Sequence, residues 1–472
     1  MWNTSLPPRD KSLRPHRKRL LVALAVSLTT TLLTALVVVP TGQAAEAAAV
    51  SCTGYSAWAE GNTYPAGTKV TYSGHLYEAL VTHTAYVGAG WNPAATPSLW
   101  KDLGTCDGTS SPSPSASRSA SASPSASPSR SPSASASPSR SPSQSPSPST
   151  SPTGSTCAVK SRPSGKVIQG YWENWDGAAN GVHPGMGWIP ITDSRIAAHG
   201  YNVINAAFPV IRSDGTALWE DGMDAGVKVA TPAQMCQAKA AGATILLSIG
   251  GATAGIDLSS STVADRFIAT IVPILKTYNF DGIDIDIETG LTGSGNIGTL
   301  SASQANLIRI IDGVLAQMPS NFGLSMAPET AYVTGGSVVY GSIWGAYLPI
   351  IKKYADNGRL WWLNMQYYNG SMYGCSGDSY SAGTVQGFVA QTTCLNNGLV
   401  IQGTTIRVPY DKQVPGLPAQ SGAGGGYMAP SLVSQCWSSF SGQLKGLMTW
   451  SINWDGSKGW TFGDNVKALQ GR

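Results

Sequence analysis

The chain has 472 residues, too many for one typical domain, and only 12% of them are charged. Its formal charge of +4 is local to the start: residues 1–45 hold six Lys/Arg (Arg9, Lys11, Arg14, Arg17, Lys18, Arg19) against Asp10, a net +5, which leaves 4 − 5 = −1 for the rest. A nucleic-acid partner wants a basic face, and none remains to supply it, so a neutral partner is expected.

The basic stretch precedes an apolar run from Leu20 to Val39 and small residues over 43–50. Residues 1–49 read as an export signal. A membrane anchor is the competing reading, because the run is long for a signal core; its threonines and alanine-rich exit favour cleavage. No second run long enough to cross a bilayer follows, so the mature protein is expected to be secreted, extracellular and free of the membrane. Seven cysteines in an exported chain permit disulfides. Cys52 and Cys106 flank the next segment and are expected to staple it. Cys375 and Cys394 lie in one loop region and can pair. The pairing of Cys157, Cys236 and Cys436 is not legible from spacing, and one thiol at least is left over. No His/Cys spacing of the zinc type occurs, so neither metal nor cofactor is expected.

Residues 50–106 are rich in Gly and Thr and punctuated by aromatics (Trp58, Tyr64, Tyr72, Tyr77), the text of short strands and turns. About 55 residues is near the lower limit for a self-sufficient core. Residues 107–156 are almost all Ser, Pro and Ala, with Arg118, Arg130 and Arg140 spaced through them. Such a segment cannot bury apolar area and is expected to act as an extended, disordered tether, open to O-glycosylation.

Residues 157–472 carry apolar strand-like runs separated by helix-like text. Strands are expected near 166–171, 202–208, 244–249, 282–288, 323–327, 360–367, 405–408 and 446–451. Eight strands alternating with helices over this length suit an α/β fold, the (β/α)8 TIM barrel. The runner-up, an open doubly wound sheet, would want a glycine-rich phosphate loop after an early strand, and there is none.

The most informative stretch is Asp281-Gly-Ile-Asp-Ile-Asp-Ile-Glu288. Its alternation has the period of a β-strand, so Asp284, Asp286 and Glu288 point one way and the isoleucines the other. A parallel strand buried on both faces is ordinarily apolar throughout. Three acids there need a ligand or shared protons. They could hold a divalent cation, or form a ladder that keeps one member protonated and another anionic. A cation site would draw acids from other strand ends. Those ends offer Tyr171, Trp172, Phe208, Ser248, Gln366, Tyr368 and Trp450 instead, a lining that suits a sugar.

This octapeptide resembles the DxxDxDxE signature of family 18 glycoside hydrolases. Ser248-Ile-Gly-Gly251 resembles that family's SxGG motif, Met365-Gln-Tyr-Tyr-Asn369 its sixth-strand motif, and Trp450 its eighth-strand tryptophan. The resemblance implies a TIM barrel and roles residue by residue. Glu288 would be the general acid. Asp286 would orient the substrate's N-acetyl group, whose carbonyl oxygen is the nucleophile. Asp284 would share a proton with Asp286, and Tyr368 would hydrogen-bond the closing acetamido group. Tyr171, Phe208, Met326, Gln366, Asn369 and Trp450 would contact sugar. Asn369 and Gln366 stand where many members have Asp and Met, as in the plant-type and related bacterial branch. The spacing of the last two expected strands leaves no room for an extra wall domain, which implies an open groove.

The pattern His83-Thr84, Trp91-Asn-Pro93, Pro97 and Leu99-Trp100 resembles the small chitin-binding modules of bacterial chitinases, with Trp91 as the exposed contact and Tyr86 either contact or core. The resemblances together imply a secreted bacterial chitinase, expected to act as a monomer inside chains of β-1,4-linked N-acetylglucosamine and to bind insoluble chitin and chito-oligosaccharides. The alternatives are an endo-β-N-acetylglucosaminidase on N-glycans and a non-catalytic chitin lectin; the latter fits poorly with the retained Glu288.

Overall fold

The computed structural model describes residues 50–107, except 60–61, 81–82, 86–91, 95 and 97–98, and residues 155–472, except 178–182, 184–185 and 253–254. The expected export signal, the tether between 108 and 154, and the aromatics Tyr86 and Trp91 lie outside the described residues.

In the N-terminal segment, Lys69–Tyr72, His75–Ala79 and Trp100–Thr105 form a three-stranded antiparallel sheet. Its first hairpin turns on Ser73 and Gly74, both at positive φ (47° and 79°), the backbone that matches the twist of a two-residue turn. Tyr64, Val70, Tyr77, Leu99 and Trp100 bury together, with the Tyr64 ring edge-on to Trp100 at 5.0 Å. So small a core gains from a covalent tie, and Cys52–Cys106 provides it.

The larger segment holds eight parallel strands: β1 (Val167–Glu173), β2 (Val203–Ala207), β3 (Thr244–Gly250), β4 (Gly282–Asp286), β5 (Gly323–Met326), β6 (Trp362–Leu363), β7 (Gly416–Pro418) and β8 (Gly446–Trp450). Their order is β6-β5-β4-β3-β2-β1-β8-β7, and the bridges Leu363↔Gln413 and Gln366↔Gly416 join its two ends. The sheet closes into a (β/α)8 barrel. Its outer face is apolar: Ile283 and Ile285 of β4 belong to one buried cluster with Phe267 and Ile271 of the helix Ser261–Thr277, and with Leu307 and Ile310 of the helix Ala302–Leu315. Side-chain caps start both helices, Ser260 the first and Ser301 the second, where Gln304 completes a capping box.

Asp281, the first acid of the octapeptide, belongs to the other end of the barrel. Its carboxylate accepts from the backbone N–H of Lys160 (2.7 Å) and Ile245 (2.9 Å) and pairs with Lys239 Nζ at 2.7 Å. It ties the segment entering the barrel to β3, a structural task.

One strand differs from expectation. Thr404–Ile406 forms an antiparallel hairpin with Leu399–Ile401, and β7 is Gly416–Pro418. β-Branched text marks a fit to a pleated surface, which a hairpin offers as well as a barrel. Pro415, Gly416 and Pro418 disguise the true strand. Only residues 419–445 then separate β7 from β8, which leaves still less room for an inserted domain. Likewise β4 ends at Asp286, two residues short of Glu288. Cys157–Cys236 and Cys375–Cys394 are bridged; Cys436 is a free thiol, and burial pushes its pKa up to about 12, so it stays unreactive.

Candidate active site

Parity along β4 decides where its acids go. Asp284 lies in register with Ser248 of β3 and Ser325 of β5, and all three face the barrel interior. Its buried carboxylate accepts four hydrogen bonds: from Tyr171 Oη (2.7 Å), Ser248 Oγ (2.8 Å), Ser325 Oγ (2.6 Å) and Asn364 Nδ2 (3.0 Å). Burial raises its pKa above the usual carboxylate value, and these donors offset that rise only in part. Each oxygen has two partners, and three of the four are hydroxyls, which can accept as well as donate. The two acids act on each other through charge.

One residue pair higher, Gln366 Nε2 donates to Asp286 Oδ1 and to Glu288 Oε1, at 2.9 Å each, and lies 3.0 Å from the carbonyl of Ala327. Burial, then the charges of Glu288 and Asp284, push Asp286 well above the usual carboxylate range. Burial raises Glu288 to about 6 against the bond from Gln366. A fourth carboxyl, Glu329, is raised to about 8 by burial and by the Glu288 charge. Such a cluster retains protons near neutrality as a unit. The backbone beneath it is pinned: Tyr347 Oη lies 2.9 Å from Ile287 N and 2.8 Å from Ile287 O, and Tyr332 Oη donates to the Glu288 carbonyl at 2.7 Å. The buried Tyr368 hydroxyl stays protonated, because burial and the charges of Asp286 and Glu288 raise its pKa.

Two glycines let β3 approach this ladder. At Gly250 (φ +116°) a Cβ would lie 2.1 Å from the Asp286 carbonyl oxygen, and at Gly251 (φ +83°) it would lie 2.8 Å from the Phe208 ring. Gly251 N–H donates to the Asp286 carbonyl at 2.7 Å. The SxGG motif is therefore a positioning device: its serine holds Asp284, and its glycines clear space.

Beside the acids stand three half-buried rings. Phe208 lies 6.0 Å from Trp450 at 16° and 6.4 Å from Trp175 at 18°, nearly parallel to each, while Trp175 and Trp450 are 6.2 Å apart and tilted by 33°. Tyr171 packs 5.4 Å from Trp450, beneath this wall. Flat rings suit the apolar faces of pyranoses, while the amides and acids meet polar edges.

Of the expected sugar contacts, Phe208, Gln366 and Trp450 join this cleft. Tyr171 is 1% exposed and its hydroxyl serves Asp284, so it acts from behind. Met326 is fully buried, pairs in register with Ile285 and packs in the outer apolar layer. This is a correction: its parity is that of the isoleucines, and Ser325 is the β5 residue that faces in. Asn369 adopts φ +65°, a conformation asparagine tolerates, and its Oδ1 accepts from Gly425 N–H at 2.8 Å, so that oxygen shapes a loop. Trp91 lies outside the described residues. Sequence reasoning passed over Glu329 and Trp175. Both follow closely on the C-terminal ends of barrel strands, β5 and β1, where catalytic residues of such barrels gather, and that rule was the signal available.

Comparison with known proteins bears on this geometry. Residues 167–357 match the model of glycosyl hydrolases family 18, and residues 57–101 match carbohydrate-binding module family 5/12. The chain is 84% identical over 312 residues to Endochitinase 4 of Metarhizium robertsii, covering 66% of this chain and 90% of that protein. The chain belongs to glycosyl hydrolase family 18. Over 311 residues it is also 85% identical to Endochitinase 37 of Trichoderma harzianum, covering 66% of this chain and 92% of that protein. A family GH18 chitinase from Chromobacterium violaceum superposes with a TM-score of 0.56 at 28% identity, covering 89% of this chain and 100% of that one. The bacterial character expected from the sequence is not borne out, since relatives at 84–85% identity are fungal.

Proposed function

We propose that the chain is a secreted endochitinase that hydrolyses β-1,4 linkages of N-acetylglucosamine polymers with retention, using the substrate's own acetamido group as nucleophile. The observation that carries this reading is Glu288: half-buried, raised to about 6, and tied through one Gln366 nitrogen to Asp286 beside a wall of aromatic rings.

Glu288 gives its proton to the glycosidic oxygen as the bond from C1 breaks. The acetamido carbonyl oxygen closes onto C1 from the other face, in the place an enzyme carboxylate takes in the two-carboxylate mechanism. This is the substrate-assisted exception to two-carboxylate hydrolysis. Asp286 orients the acetamido N–H, and Tyr368 Oη donates to the closing oxygen. The charge of Asp284 raises the proton affinity of Asp286. Water then gives a proton back to Glu288 and opens the oxazolinium ion at C1, which restores the starting configuration.

We further propose the layout 1–49 signal, 50–106 chitin-binding module, 107–156 tether and 157–472 catalytic barrel, acting as a monomer. The tether would raise the catalyst's concentration at the polymer surface. Three disulfides support export, and among the described residues no helix is long and apolar enough to cross a membrane. The relatives named endochitinases support internal cleavage, and the short 419–445 connection suits an open groove. Hydrolysis of colloidal chitin by wild type and Glu288→Gln, with early product anomers followed by NMR, tests the reading. An initial β-anomer and an inactive variant are expected; an inactive wild type or an initial α-anomer overturns it.

A further inference from the structure

We infer that Glu173 is a positioning residue for the sugar-stacking wall, acting through Ser451 on Trp450 with His183 as its partner; this rests on the proposed reading that sugar stacks on that wall. Glu173 ends β1, is fully buried, and has the interior parity of Tyr171, yet it belongs to none of the reacting acids. Ser451 Oγ donates to Glu173 Oε1, and His183 Nε2 pairs with Glu173 Oε2, at 2.5 Å each.

The directions of these bonds are determined by their other partners. Ser451 Oγ accepts the Trp454 N–H at 3.1 Å, capping the helix Ile452–Ser457, so its single proton is directed at Glu173. His183 Nδ1 faces the Met186 carbonyl at 2.7 Å; a carbonyl only accepts, so Nδ1 carries a proton and Nε2 is left for the carboxyl. The Glu173 N–H donates to Asn453 Oδ1 at 3.1 Å. A buried carboxyl with a partner on each oxygen is held in place, whereas one left unpaired is costly.

The packing around the imidazole is equally specific. A Cβ on Gly177 would lie 2.1 Å from His183 Nε2, so the loop after β1 closes on the ring only because residue 177 is glycine. Trp454 meets the same ring edge-on at 5.5 Å. The network thus bolts the loop after β1 to the helix after β8. Its neighbour Asn174 does the same for the other ring: Asn174 Nδ2 donates to the Phe208 carbonyl at 3.0 Å. Residues 173, 174 and 175 in succession anchor Trp450, anchor Phe208 and supply Trp175, so one tripeptide sets all three rings of the wall.

Steady-state hydrolysis of a soluble N-acetylglucosamine oligomer by the full chain tests this. Ser451→Ala is expected to raise KM about tenfold, the size of one charge-assisted hydrogen bond, with kcat changed less than about threefold. In a Trp450→Ala background the same substitution is expected to move KM less than about twofold, because the ring it positions is gone. An unchanged KM, or an equal loss in both backgrounds, overturns the inference. Should Ser451→Ala fail to fold, Glu173→Gln and Glu173→Leu decide. Gln keeps an acceptor for Ser451 and a donor for neutral His183 and is expected within about threefold of wild type, whereas Leu is expected to lose affinity as Ser451→Ala does. Equal KM for the two overturns it. A wild type that does not cleave the oligomer overturns the functional reading itself, a separate outcome.

Discussion

Gln366 and Glu288 meet at 2.9 Å through the same amide nitrogen that serves Asp286, so one neutral side chain stabilises the ionised forms of both acids. The general acid must be protonated to act, so kcat/KM falls as pH rises through the Glu288 pKa of about 6. Removing the bond removes stabilisation of the carboxylate, which raises that pKa. Gln366→Leu is therefore expected to move the alkaline limb upward while lowering the maximum. A limb that stays in place or moves down contradicts the assignment.

Glu329 supplies a second titration. Burial and the Glu288 charge raise it to about 8, so it is neutral while the enzyme works and ionises above that value. The wild-type profile of log kcat/KM is expected to fall with unit slope beyond about 6 and more steeply beyond about 8. Glu329→Gln is expected to keep the first step and lose the second. A profile in which the steeper step survives the substitution rules this out.

Tyr171 lies beneath the ring wall and Trp175 belongs to it, and the two should fail differently. Tyr171→Phe keeps the ring but removes one of the four donors on Asp284. It is expected to lower kcat about tenfold with little change in KM, the cost of one hydrogen bond to a charged group. Trp175→Ala removes a stacking face and is expected to raise KM about fivefold with kcat nearly constant. Initial-rate kinetics on soluble oligomers distinguish the two, and a reversed pattern would refute both placements.

Trp91 tests the module apart from the barrel. Trp91→Ala is expected to weaken retention on insoluble chitin and to spare cleavage of soluble oligomers. Pull-down depletion curves on crystalline chitin measure the first effect, and undiminished retention removes Trp91 from the binding face.

Much of this molecule was legible in one dimension. The acid–isoleucine alternation of 281–288 is a local period, and it identified a strand with one chemical and one apolar face before any neighbour was known. The regular return of apolar runs placed seven of the eight barrel strands close to where they lie, because each run is itself the buried element. The staple Cys52–Cys106 followed from its position at the two ends of a segment too small to hold itself together.

What sequence left undecided depends on neighbours brought together across the barrel. Glu329 matters because β5 places it against Glu288, and Trp175 because β1 lies next to β2 and β8, whose ends carry Phe208 and Trp450. Strand parity removed Met326 from the cleft, and the pull of Asp284 turned Tyr171 from a sugar contact into a donor behind it. Cys157–Cys236 and the Glu173–His183–Ser451 network join residues far apart in sequence, and no local period marks them. Residue types and spacing determined which chemistry the chain carries. Closure of the sheet decided which side chains touch the acids, because the charge and hydrogen-bond environment of each acid comes from strands that sequence does not place side by side.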